Sequence, residues 1–247
     1  MLNQQLKAIA VAFIFASRIP MPKLEAIEPE DSSRSLPWFL LVGATLGLTL
    51  SLLAAGFQNA NPMLVAAILL GASAMFTGGL HLDGVADSAD GWLAGGDKAR
   101  TLEIMKDPRC GSGAVISLVV LLLLQWGALV ELIRAQQWLA IFLAPIIGRG
   151  ALVSIFMSTP YARSQGLASD FINGANRPLI MGLIAALSLL CILHSTTSLI
   201  ALLAVAVVVY LCRRLMLKRL EGCTGDTAGA MAEIGAMAFW VSWALQV

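Results

Sequence analysis

Residues 36–56 are a run of 21 without a single Asp, Glu, Lys or Arg, and at about 1.5 Å per residue a helix of that length crosses ~30 Å of hydrocarbon. Further apolar runs follow at 62–80, also free of charge, and at 113–133 and 138–158, which hold one charged residue each, Glu131 and Arg149. The stretch 179–210 is too long for one ordinary span and is expected to divide near His194-Ser195-Thr196-Thr197-Ser198 into a fifth and a sixth helix. A last apolar stretch, 228–247, is a candidate seventh span, although Glu233 interrupts it. In lipid only segments that satisfy their own backbone N–H and C=O groups can cross. The chain is therefore expected to be all-α, a polytopic integral membrane helical bundle of about six to seven transmembrane helices, acting as one domain over residues 1–247. The composition agrees: 58% hydrophobic residues, mean hydropathy +0.82 and net charge +1 lie outside the soluble range and offer no argument for nucleic acid.

The first apolar stretch, 8–16, is too short to span and runs into Ser17-Arg18-Ile19-Pro20 rather than a small-residue cleavage site. It reads as an N-terminal interfacial or re-entrant helix, not a signal peptide. Lys7, Arg18, Lys23 and Arg34 precede the first span, and Lys98, Arg100, Lys106 and Arg109 follow the second. Arg163 and Arg177 follow the fourth, and Arg213, Arg214, Lys218 and Arg219 follow the sixth, whereas the opposite side has only Arg134. Basic loops remain in the cytosol, so these loops are expected at the cytoplasmic face of the cell (inner) membrane. The four cysteines show no CxxC or Cys/His spacing, which argues against a thiolate metal site.

Against this apolar background, Asp83, Asp87 and Asp90 fall within eight positions, directly after the second apolar run and beside His81, one of two histidines. If 81–90 is helical, offsets of four and seven residues at about 100° each put all three carboxylates on one face. Carboxylates held that close raise each other's pKa unless a cation sits among them. An oxygen-only donor set suits a hard divalent ion, and Mg²⁺ combines a few carboxylates with the phosphates of its substrate. The pattern points to a Mg²⁺-dependent phosphoryl-transfer site at a membrane surface, with Asp83, Asp87 and Asp90 as metal ligands or one of them as base. The plainer alternative is an acidic first turn favoured by the helix dipole, but unpaired charge at the end of an apolar segment is costly.

Four further features can carry chemistry. Lys106-Asp107-Pro108-Arg109-Cys110-Gly111-Ser112-Gly113 places cations and a Gly-Ser-Gly turn at a helix start, a phosphate site with Lys106 and Arg109 as donors or an ordinary basic interfacial loop. Asp226, in Gly225-Asp226-Thr227, is a further metal or nucleotide contact, or else Asp226 or Thr227 caps a helix. Arg149, between Gly148 and Gly150 in an apolar run, either pairs with an intramembrane acid or clamps a substrate phosphate. His81 is a second candidate base, or a bland interfacial histidine.

His81-Leu82-Asp83-Gly84-Val85-Ala86-Asp87-Ser88-Ala89-Asp90-Gly91 resembles the hallmark of the cobalamin 5′-phosphate synthase family, the adenosylcobinamide-GDP ribazoletransferases. The likeness covers nearly the whole chain: Ser17-Arg18-Ile19-Pro20, Leu36-Pro37-Trp38, Glu103-Ile104-Met105-Lys106-Asp107-Pro108-Arg109, Gly148-Arg149-Gly150, Tyr161-Ala162-Arg163 and Thr224-Gly225-Asp226-Thr227 occur in the family's order. It departs at Glu221, where a glycine pair is expected. The resemblance implies an integral membrane enzyme of late corrinoid assembly that joins adenosylcobinamide-GDP to α-ribazole or its 5′-phosphate, releases GMP and depends on Mg²⁺. Membrane lipid, a second copy of the chain and other late cobalamin-assembly enzymes are its expected partners.

Two rivals are weaker. A CDP-alcohol phosphotransferase needs an Ala-Arg pair soon after its first Asp-Gly, whereas Asp83-Gly84 is followed by Val85-Ala86-Asp87. A cation-coupled transporter places its coupling residues near the midplane on broken helices, often in repeated halves, and no internal repeat is visible here.

Overall fold

The computed structural model of the chain describes residues 2–163 and 167–247. Helix α1 (Leu2–Ala16) ends where the Ser17 hydroxyl donates to the Phe13 carbonyl at 2.8 Å and the Arg18 N–H donates to the Phe76 carbonyl at 2.7 Å. Helix α2 (Pro29–Ser35) starts with a capping box of Glu28 and Asp31, and Lys7 ties Asp31 back to α1. One 3₁₀ turn, Leu36–Trp38, joins it to α3 (Phe39–Gly56). Asn61 caps α4 (Pro62–Thr77) by accepting from the Met63 N–H, with Pro62 at the first helical position, where its missing N–H costs nothing.

Sequence periodicity carries the second span through residue 80, but α4 stops at Thr77. Gly78 (φ 66°) and Gly79 (φ 75°) both adopt the left-handed conformation that glycine tolerates. Helix α5 (Leu80–Leu93) then leaves at 92° to α4. Helix α4, at 16 residues, is short of a full span by itself, and the polar α5 turns away from its end.

The chain continues with α6 (Lys98–Ile104), α7 (Ser112–Arg134), α8 (Trp138–Ser158), α9 (Leu167–Ile172), α10 (Arg177–His194), α11 (Thr196–Leu220) and α12 (Gly225–Ala244). Residues 29–56, α7, α8, α10 and α11 are each long and apolar enough to cross a membrane, and the bent α4–α5 pair makes a sixth candidate. The expected division near residue 194 falls between α10 and α11, where Ser195 and Ser198 form a capping box. The bundle is all-α among the described residues, as expected.

Helix α12 falls short of that apolarity, yet it is largely buried, with α5, α7, α8 and α11 packed around it. Small residues permit the approach: Gly229, Ala230, Ala232, Gly235 and Ala236 are all buried on α12. The same rule joins α3 to α8, where a Cβ at Gly43 would lie 2.7 Å from the Pro145 carbonyl oxygen. Glu233 is buried on α12 and accepts from the Gln125 side chain of α7 at 3.1 Å. Glu131 instead lies exposed at the end of α7, paired with Arg134 at 2.7 Å.

Polar links gather the basic loops at the other end of α7. Lys98 pairs with Glu221 at 2.8 Å, the Arg219 guanidinium donates to the Thr101 hydroxyl at 2.8 Å, and Arg213 donates to the Ser158 carbonyl at 3.1 Å. Glu221 stands at the C-cap of α11 with φ 56°, so the loop keeps a glycine-like turn without the glycine.

Candidate active site

Helix α5 runs unbroken through Asp83, Asp87 and Asp90, but the three carboxylates have different surroundings. Asp90 accepts from the backbone N–H of Gly111 at 2.6 Å and of Ala114 at 2.8 Å, and so caps α7 from a neighbouring helix. Asp83 is exposed, Asp87 is half-buried, and neither side chain has a hydrogen bond or ion pair among the described residues.

A fourth carboxylate joins them from α12. The loop after α8 and the loop before α12 are zipped together: the Ala162 N–H donates to the Cys223 carbonyl and the Cys223 N–H to the Pro160 carbonyl, each at 2.8 Å. Thr224 and Thr227 form a capping box, so the cap of α12 is Thr224 rather than Asp226 or Thr227. Asp226 is thereby left in the first turn, where the Arg163 guanidinium donates to it at 2.8 Å. Gly84 lets the two acidic helices touch, since a Cβ there would lie 2.5 Å from the Asp226 carbonyl oxygen.

The electrostatics follow from this crowding. Asp87 is pushed up to about 6, first by burial and then by the charges of Asp83 and Asp226, while Arg163 pulls it the other way. Among the described residues no three His, Cys, Asp or Glu side chains close on one point as a finished metal centre. The donors present are nonetheless all oxygen, and Asp83 and Asp87 have no cation paired with them among the described residues. That suits an ion completing its shell with substrate phosphates.

Two cavities meet at Asp83. The larger, about 650 Å³, is lined by Asp83, Asp87 and Asp90 together with Arg18, Lys106 and Arg109. Its cations differ. Arg109 is locked on Asp107 by bonds of 2.9 and 3.1 Å from Nε, which hold the Asp107 carboxyl down at about 2. Lys106 and Arg18 have no ion pair among the described residues. Sequence reasoning assigned Arg18 nothing; it is seated against Gly78 at the turn between α4 and α5, and the signal available was a cation just after the first helix.

The smaller cavity, about 280 Å³, lies on the other side of Asp83 and is walled by Phe15, Phe39, Phe156, Tyr161 and His81. His81 is 1% exposed, and neither ring nitrogen has a hydrogen-bond partner among the described residues. Arg149 is likewise 1% exposed and lines neither of these cavities, and its Nε and Nη2 are unpartnered. It is near enough to Glu233 to feel its charge, yet no direct ion pair forms among the described residues.

Known proteins resemble this chain in sequence along most of its length. The family described as cobalamin-5-phosphate synthase matches residues 8–244. The chain belongs to the cobalamin-5-phosphate synthase family. The adenosylcobinamide-GDP ribazoletransferase of Stutzerimonas stutzeri (strain A1501) is 46% identical over 240 residues, covering 97% of each chain. Its counterpart from Pseudomonas savastanoi pv. phaseolicola is 43% identical over 96% of this chain and 98% of its own, and that of Pseudomonas fluorescens Pf-5 is 45% identical over 91% and 93%. No solved structure matches. For a member of this family the acidic helix α5, the Arg163–Asp226 pair and the basic loop at Lys106 all fall inside the matched residues.

Proposed function

We propose that the chain transfers the adenosylcobinamide phosphate moiety of adenosylcobinamide-GDP to a hydroxyl of α-ribazole or α-ribazole 5′-phosphate, releasing GMP and forming adenosylcobalamin or its 5′-phosphate. The ribazole oxygen forms a bond to the phosphorus on the cobinamide side. The bond from that phosphorus to the bridging oxygen breaks, and GMP leaves with the electron pair. The observation that carries this reading is the position of two carboxylates unpartnered among the described residues, Asp83 and Asp87, in a cavity of about 650 Å³ that also holds Arg18, Lys106 and Arg109, in a chain of this family.

The donor set supports Mg²⁺ held by Asp83, Asp87 and Asp226, with Asp90 able to lend a remaining lone pair. When bound, the ion would neutralise pyrophosphate charge. Lys106 and Arg18 would grip the pyrophosphate as point and forked donors, with Arg109 available on release from Asp107. Asp83, on the wall shared by both cavities, would accept the hydroxyl proton, with His81 the second candidate. Arg149 would contact phosphate only after a shift of the wall before it. Most of the acceleration in such transfers comes from positioning and charge neutralisation rather than covalent chemistry.

The clustering of Lys and Arg at the site's end of the bundle supports a cytoplasmic active face in the inner membrane. The test is GMP release by the purified, reconstituted protein given adenosylcobinamide-GDP and α-ribazole, with Mg²⁺ or with chelator. Release that needs both acceptor and metal is expected. Metal-independent release would remove Mg²⁺ from the reading, and no release from folded protein would remove the transferase.

A further inference from the structure

The transferase reading leaves the smaller cavity without an occupant. Its walls come from four separate parts of the chain: Phe15 from α1, Phe39 from α3, Phe156 from α8 and Tyr161 from the loop after it. The ring centroids of Phe15 and Phe39 are 6.2 Å apart, and both pack on Phe171 of α9, at 4.7 and 5.6 Å. With interplanar angles of 45°, 59° and 83°, aromatic side chains from these distant segments form a tilted apolar wall to the slot. Within it, His81 offers two ring nitrogens that are buried and unpartnered. A buried polar atom left without a partner costs free energy, so this slot is incomplete by itself.

Resting on the transferase reading, we propose that this aromatic slot is the acceptor subsite: it takes the benzimidazole of ribazole between its rings, with His81 bonded to the free ring nitrogen. Size and chemistry both favour this occupant. A cavity of about 280 Å³ admits a bicyclic base and excludes a corrin ring. The guanine of the donor also packs on aromatic rings, but the cations suited to the pyrophosphate it carries, Arg18, Lys106 and Arg109, line the other cavity. Benzimidazole is largely apolar and suits the ring-lined part of the slot, whose remaining lining includes the charged Asp83, Arg163 and Asp226.

The position fits the reaction as well. In phosphoryl transfer the attacking and leaving oxygens stand on opposite sides of the phosphorus. Asp83 lines both cavities, so a base held in the slot brings its ribose hydroxyl to the carboxylate from one side. The pyrophosphate and the departing GMP occupy the larger cavity, with Arg18 and Lys106, on the other. Helix α1 and the loop at Tyr161 then act on the acceptor rather than on phosphate chemistry.

The test uses full-length protein in nanodiscs. Wild-type GMP release dependent on both substrates checks the transferase reading first. Phe156→Leu and Tyr161→Leu, which keep apolar volume but remove the ring, are then expected to raise KM for α-ribazole by about 5- to 100-fold while KM for adenosylcobinamide-GDP stays within about twofold. Equal changes in both constants, a change confined to the donor, or no change in a wild type that is active would overturn the subsite alone. Should either variant fail to insert, photolabelling of wild-type protein with 5-azidobenzimidazole riboside decides the matter. Label on the peptides bearing Phe15 or Phe156, displaced by α-ribazole but not by GMP, is expected; label elsewhere or displaced by GMP would sink the assignment.

Discussion

Arg163 donates to the Asp226 carboxylate at 2.8 Å across 63 positions of sequence, and this pair fastens the loop after α8 to the first turn of α12. Both side chains remain partly accessible, at 20% and 28%, so the pair forms a wall of the site rather than a buried brace. Arg163→Ala is expected to lower GMP release by about tenfold or more, since truncating one partner of a charge-assisted bond costs about 1.5–3 kcal/mol. Arg163→Lys should recover only part of it, because an ammonium lacks the forked geometry. Steady-state rates of the three proteins at saturating substrate are the measurement.

Asp87 yields a prediction with a pH sign. Its folded pKa of about 6 lies above the ordinary aspartate value of 3.8, so the folded protein binds more protons between those values and loses stability as pH rises through them. Asp87→Asn is therefore expected to melt higher than wild type in chelator above about pH 6, with the difference shrinking toward pH 4, while GMP release is abolished. Equal melting of the two proteins at all pH values would contradict the crowding of carboxylates.

Asp90 serves as a cap for α7 as well as a wall of the larger cavity. Asp90→Ala should destabilise the start of α7 by about 1 kcal/mol, the usual size of a lost cap. It should also open the loop at Lys106 to protease. Asp90→Asn keeps one acceptor oxygen and should be protected better; limited proteolysis followed by peptide mapping distinguishes them.

Two glycines give a paired control. Gly84→Ala places a Cβ against the Asp226 carbonyl, whereas Gly71→Ala meets nothing within 4 Å. The first is expected to spread α5 from α12 and abolish activity. The second should be neutral or stabilising by up to about 1 kcal/mol, since alanine is the better helix former. Thermal midpoints and GMP release measured side by side test both.

The membrane-spanning bundle was legible because its cause is local. A run such as 36–56 has no other way to satisfy its backbone in lipid, and the break near residue 195 carries its own Ser195–Ser198 cap. The acidic face of α5 was legible for the same reason, since the offsets of Asp83, Asp87 and Asp90 fix their common side once a helix forms. The turn at Gly78 and Gly79 was not. Glycine permits a left-handed pair but does not require it, and the 92° bend depends on what α4 and α5 pack against.

The roles within the acidic cluster were also hidden, because each is set by a partner far along the chain. Asp90 meets Gly111 and Ala114, Asp226 meets Arg163, and Arg149 is buried beside α12. Residue spacing along the chain thus determined that these are membrane helices with carboxylates gathered on one of them. Only the tertiary structure decided which carboxylates remain free, which cations face them and that two cavities meet at Asp83, because these depend on contacts between helices that are distant in the chain.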